Sequence, residues 1–179
     1  YAACTITVTD AAGNASTALT LTSFTIDTDN PDVTIDEGAS QDDPTNTSPI
    51  VFDVVFDEAI NDTTFTDADI DTTGSTATPG AITVTEVAPM DDTTFEVSIV
   101  VTGDGDLTAT VMTGSIADLA GNLNNAAIST DNTVTYDTMA PSDPGSSPDL
   151  IAASDSGASS SDNITSDTTP TFDIECTET

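Results

Sequence analysis

The sequence predicts an all-β chain, and three observations carry that reading. Apolar and polar residues alternate over short runs; Thr, Val, Ile and Phe dominate those runs while Gly, Asn, Asp and Pro separate them; and no helix-length window sustains a 3.6-residue period. The clearest alternation is Ile50 to Phe56, where Ile50, Phe52, Val54 and Phe56 share one face. Phe95, Val97, Ile99 and Val101 repeat it, followed by Leu107, Ala109 and Val111, and Ile82 with Val84 give a weaker instance. Strands of this kind bury one face and turn Thr, Ser and Asp outward.

Charge sets the second constraint. The 179 residues include 32 Asp and Glu and no Lys, Arg or His, for a net charge of −32. An acidic chain poor in aromatics approaches the composition of disordered proteins. The 36% apolar content, spread along the whole length, argues instead for a folded core. No carboxylate can meet a side-chain cation, so neutralisation comes from outside, and metal ions are the candidates. Nucleic acid and membrane insertion are excluded as partners, because the acidic surface repels phosphate and no apolar run reaches a membrane span. No signal-peptide pattern opens the sequence, so the chain reads as soluble, with any export signal removed or outside it. Catalysis is not expected. Without His, Lys or Arg there is no ordinary activator of a nucleophile, no phosphate clamp and no Schiff base, and no pair of carboxylates stands apart for glycoside hydrolysis.

An internal repeat organises the chain. Asp10-Ala-Ala-Gly13-Asn14 returns as Asp118-Leu-Ala-Gly121-Asn122. Each is followed by a strand ending in Asp-Thr, at Asp27-Thr28 and Asp137-Thr138, and then by Pro31 or Pro141. The second unit is therefore about 110 residues long, the size of an immunoglobulin-like sandwich.

The segment from Pro31 to Thr138 carries Val54-Val-Phe-Asp-Glu-Ala-Ile60, Phe65-Thr-Asp-Ala-Asp-Ile70, Gly103-Asp-Gly105 and the Asp118–Asn122 turn. In that order and spacing it resembles the bacterial Ig-like modules repeated in large extracellular adhesins and surface fibres. The tail, with Asp149-Leu-Ile-Ala-Ala-Ser-Asp155-Ser-Gly157, Asp162-Asn-Ile-Thr165 and Thr169-Pro-Thr-Phe172, resembles the opening of a sister module. The resemblance implies three parts. Residues 1–30 are the last two strands, F and G, of one module; residues 31–140 are a complete Ig-like β-sandwich; and residues 141–179 are the first two strands, A and B, of another. Two strands alone cannot bury their apolar face. The terminal parts are expected to be completed either by a neighbouring copy, head to tail, or by adjoining sequence of a longer array.

The cysteines take their meaning from that frame. Cys4 shares parity with Ile6 and Val8, and Cys176 with Phe172 and Ile174, so both thiols are expected to face a core. Strands B and F are where immunoglobulin domains place their inter-sheet disulfide. The resemblance thus implies Cys176 of one copy bonded to Cys4 of the next; two reduced apolar cysteines are the open alternative. No tryptophan is present and Ala2 precedes Cys4 by two, so the antibody-type companions of that disulfide are missing.

In this topology the F–G turn shares a pole with the linker entering its own module and with the turn after strand B. That brings Asp118 and Asn122 towards Asp27, Asp29 and Asp32, and towards Asp57 or Asn61. Six to eight oxygen ligands suit calcium, and this junction offers them. A second junction groups Asp137, Asp143 and Asp149 with Asp10 of the next module's turn, and Asp155 with Asp162 is expected to close around a further ion. The run Asp67-Ala-Asp69-Ile-Asp71 imitates the start of an EF-hand but lacks its glycine, final glutamate and helices, so it reads as a strand or turn. Asn14, Asn46, Asn61 and Asn163 head N-x-S/T sequons, with an unmodified surface the expected state. The function expected is an extracellular or cell-surface structural repeat or fibre subunit, made rigid by calcium at its junctions. The alternative is a ligand-binding module of an adhesin, recognising sugar, ice or a host surface. Few aromatics are left over for a stacking platform, and the threonines are irregularly spaced for ice, which favours the stalk.

Overall fold

The structure, a computed structural model, describes residues 4–143 and 147–174. The chain divides into two units, Tyr1–Asp137 and Thr138–Thr179. Among the described residues there is no α-helix, and no helix is long and apolar enough to cross a membrane.

The first unit opens with a hairpin of β1 (Thr5–Ile6) and β2 (Leu19–Thr20), in which Ile6 pairs with Leu19. It continues through β3 (Val33–Glu37), β4 (Ile50–Phe56), β5 (Ile70–Asp71), β6 (Pro79–Glu86), β7 (Thr94–Val101), β8 (Gly105–Thr108), β9 (Thr110–Val111) and β10 (Thr133–Tyr136). Strands β3, β4, β7 and β6 form one antiparallel sheet in that order, while β9 pairs with β5 and β8 pairs with β10. Both ladders and the four-stranded sheet contribute to a single core, an arrangement consistent with a β-sandwich.

The alternation read from the sequence is the alternation of burial. Ile50, Phe52 and Val54 are fully buried and Phe56 is 2% exposed, whereas Val55 between them is 43% exposed. The register Phe52 to Val97 and Val54 to Phe95 places the two apolar faces side by side. Leu107, Ala109 and Val111 close the core from the other layer, while Ile82 and Val84 are only half-buried at its margin. The Asp67–Asp71 run begins as a 3-10 turn at Asp67–Asp69 and passes into β5. Asp69 Oδ2 accepts from the Thr66 N–H and hydroxyl, so this carboxylate shapes the turn.

A latch joins β3 to the segment before β10. Asp36 Oδ1 accepts from the backbone N–H groups of Thr130 (2.6 Å) and Asp131 (2.9 Å) and from the hydroxyls of Ser129 and Thr130 (3.1 Å each). Burial raises the Asp36 carboxyl, but these four donors outweigh it and hold it below the ordinary 3.8. A lowered carboxyl contributes stability that is complete above 3.8 and is lost as pH falls through the folded-state value. Asp36→Asn should therefore lower the urea midpoint at neutral pH, by an amount that shrinks as pH falls through the folded-state value and the wild-type carboxylate takes up its proton. A loss that does not change with pH would mean that the charge of Asp36 does not hold the latch.

The second unit contains β11 (Asp149–Leu150) and β12 (Phe172–Asp173), paired antiparallel through Leu150 and Phe172. Between them runs a long connection that folds back on itself, with Ser154 and Asp155 buried although the surrounding residues are Ser, Gly and Asn.

Candidate metal centre

The two repeated turns follow one plan. In each, one aspartate oxygen accepts from the backbone of the following residues while the other accepts from an asparagine amide four positions on. Asp118 Oδ1 takes the N–H groups of Ala120, Gly121 and Asn122, and Asp118 Oδ2 takes Asn122 Nδ2 at 2.8 Å. Asp10 Oδ1 takes those of Ala12 and Asn14, and Asp10 Oδ2 takes Asn14 Nδ2 at 2.9 Å. The chain turns at Gly13 and Gly121, whose φ of 91° and 97° lies in the left-handed region that favours glycine. Hydrogen bonds lower both carboxyls. For Asp10 the Asn14 amide is the largest cause, and for Asp118 burial pulls the other way but is outweighed by Asn122, Gly121 and Ala120.

The difference between the turns is what lies beside them. Ile60 pairs with Asp118 in an isolated antiparallel bridge, and the Asn61 N–H donates to the Ala117 carbonyl. The turn after β4 is thereby pressed against the 118–122 turn. Glu58 reaches the same place, as does Asp27 from the segment after the β1–β2 hairpin. One oxygen each of Asp27, Glu58 and Asp118 lie within 4.8 Å of one another. Among the described residues this is the one such group of three carboxylates. Its members differ in exposure, Asp118 being buried, Glu58 half-buried and Asp27 exposed. Loss of hydration raises the Glu58 carboxyl above the ordinary 4.5, and the negative charges of Asp27, Asp118, Asp57 and Asp29 raise it further. Three converging carboxylates with no basic side chain in the chain form a hard-oxygen donor set, the kind calcium takes.

Next to the cluster an open cleft is lined by Asp29, Asn30, Asp32, Asp57, Glu58 and Asn125. Its walls are cross-tied: the Asp32 N–H donates to Asp57 Oδ1 (2.8 Å) and Asn125 Nδ2 donates to Asp32 Oδ1 (2.7 Å). Of the residues expected at this pole, the structure thus brings Asp27 and Asp118 into the cluster and Asp29 and Asp32 into the adjoining cleft. Asn122 meets Asp118 through its amide nitrogen, which donates to Asp118 Oδ2. Asn61 Oδ1 accepts from the Thr63 hydroxyl instead. Glu58 was not anticipated, and Asp57, its neighbour, serves the linker backbone.

The remaining expected ligands belong to both units. Asp10 lies in the exposed turn described above, Asp137 ends the first unit with its N–H donating to the Thr45 carbonyl, and Asp143 and Asp149 are exposed residues of the second unit. Asp155 and Asp162 meet within one loop, where the Asp162 N–H donates to Asp155 Oδ2 at 3.1 Å. Cys4 is an exposed free thiol, and its parity partners Ile6 and Val8 are 50% and 69% exposed, so among the described residues that face has no core over it. Cys176 lies outside the described residues. No family model, curated protein or solved structure matches the chain.

Proposed function

We propose that this chain is a structural repeat of an extracellular stalk or surface fibre, built of Ig-like modules and stiffened by calcium where one module's last hairpin enters the next. The observation that carries the reading is the convergence of Asp27, Glu58 and Asp118 from the linker, the turn after β4 and the 118–122 turn, in a chain without a basic residue. A cation there ties the linker to two loops of the sandwich and relieves the repulsion that raises Glu58.

Two further features support the modular part of the proposal. The order β3-β4-β7-β6, with β5 paired to β9 and β10 to β8, supports an Ig-like reading: if β8 and β9 are counted as one strand, it corresponds to the seven-stranded constant-type order. The hairpin at residues 4–28 repeats the turn of that sandwich yet leaves Ile6, Val8 and Leu19 at least half exposed. Phe172 and Ile174 of the second unit are likewise about half exposed, at 51% and 52%. Apolar strand faces of this kind are stable once further strands cover them. In the proposal those strands belong to an adjoining module, in a second copy head to tail or in the same polypeptide.

The joint is tested by backbone 15N relaxation of the full chain. On adding calcium, the amides of Asp27 to Asp29 should take on the relaxation of the sandwich strands, and a chelator should reverse the change. Relaxation at these amides that ignores calcium would remove the stiffened joint from the proposal.

A further inference from the structure

The second unit contains a buried carboxylate that the joint does not use. Asp155 is 4% exposed, and its Oδ1 is enclosed with no hydrogen-bond donor. The other oxygen is engaged: Asp155 Oδ2 accepts from the N–H groups of Asp162 (3.1 Å) and Asn163 (3.3 Å). The loop is therefore wrapped around one side of the carboxylate while the other side faces nothing that satisfies it. An ionised oxygen left in this state is far less favourable than a neutral acceptor so placed. The usual remedy, an Arg or Lys side chain, does not exist in this chain or in any second copy of it.

We infer that the loop from Ser154 to Ile164 is a binding site for a hard divalent cation of calcium's size, with Asp155 Oδ1 as its anchoring ligand. The loop has the chemistry such an ion takes. It contains carboxylate, hydroxyl, amide and carbonyl oxygens and no thiol or imidazole. Its backbone is already drawn in: a Cβ at Gly157 would stand 2.7 Å from the Ile164 carbonyl oxygen and 3.4 Å from Asp162 Oδ1, so only glycine permits this approach. Asn163 adopts a φ of 55° and its Oδ1 accepts from the Leu150 N–H, which fastens the loop to β11. Asp162 Oδ1 is held by the Ile164 N–H at 3.1 Å, next to the Gly157 approach. Among the described residues no third carboxylate joins Asp155 and Asp162, so carbonyls and water complete the shell; that flexible, mixed coordination suits calcium better than the strict octahedron of magnesium. This site lies within one unit and rests on neither the joint at Glu58 nor assembly between copies.

The test is a calcium titration of the 15N-labelled full chain, freed of divalent ions and followed by amide shifts. Asp162 and Asn163 should shift saturably, with half-saturation at or below about 1 mM, the range of extracellular calcium modules. The response should persist in Glu58→Gln, which disables the joint, and vanish in Asp155→Asn with the Leu150–Phe172 cross-strand contacts retained. Amides that stay still up to about 10 mM calcium, ten times that affinity, overturn the inference. So does an undiminished response in a folded Asp155→Asn chain. Should that variant fail to fold, the titration of wild type and Glu58→Gln decides: a shared saturable shift supports the site, and its absence from either overturns it. Failure at Asp155 with a response at Asp27 to Asp29 would leave the joint intact.

Discussion

Calcium should raise the melting temperature of the first unit by on the order of 10 °C, and Glu58→Gln should remove most of that rise. The magnitude follows from linkage: a ligand present at 100 times its dissociation constant adds about 2.7 kcal/mol, and each kcal/mol moves the midpoint of a domain this large by a few degrees. The variant separates a calcium effect from ordinary charge repulsion because its sign reverses. Without calcium the Glu58 charge opposes folding, since lost hydration and the charges of Asp27, Asp118, Asp57 and Asp29 all raise its carboxyl. Glutamine has the same shape without the charge, so the calcium-free variant should melt at or above the wild-type temperature. With calcium it should melt below, because one of three ligands has lost its charge. Calorimetry of both proteins with calcium and with chelator reads this crossing directly. Parallel rises in the two proteins would place the ion away from Glu58, and no rise in either would mean that the three carboxylates share their corner without a metal.

What the sequence made legible was the part of the structure settled within a few residues. The turn at Asp118–Asn122 closes through hydrogen bonds that reach no more than four positions, so its recurrence at Asp10–Asn14 could be read before any fold was known. The core strands were equally plain, because the parity that separates Phe52 and Val54 from Val55 is a local property of a half-buried strand. Two-residue strands were another matter: β5 and β9 are defined only by finding each other across the fold. The metal centre was legible in part for the same reason. Asp27 and Asp118 followed from assigning loops to a pole. Glu58 depends on which residue of the following turn is carried to Asp118 by the Ile60 bridge, a contact between positions far apart in the chain. Asp155 was expected with Asp162 to close around an ion, but its burial was not legible, because it arises from the loop closing over it.

Phe95→Ala should be among the most destabilising single changes in the first unit, costing about 3–5 kcal/mol, whereas Val100→Thr on the same strand should stay within about 0.5 kcal/mol. Phe95 is 3% exposed and its ring meets Phe56 and Phe65 edge to face, with centroids 5.9 and 5.2 Å apart; Phe56 and Phe65 touch each other at 5.6 Å. Removing one member leaves a cavity among the others and two rings without their edge contacts. No neighbour can fill the space cheaply, because Val54 opposite and Val97 alongside are themselves fully packed. Val100 is 39% exposed on the outer face, where a hydroxyl finds water and β-branching is retained. Against a typical domain stability of about 5–15 kcal/mol, the first change should bring the urea midpoint close to unfolding while the second leaves it in place. Comparable midpoints for the two variants would mean that the inward face of β7 is not the face that holds the sheets together. The contrast also carries the argument about charge. The core has to hold the first unit against the mutual repulsion of its carboxylates, so salt, which screens exposed like charges over about 10 Å at 0.1 M, should raise the midpoints of wild type and Phe95→Ala by similar amounts. Midpoints that salt leaves unmoved would mean that this repulsion does not act on folding.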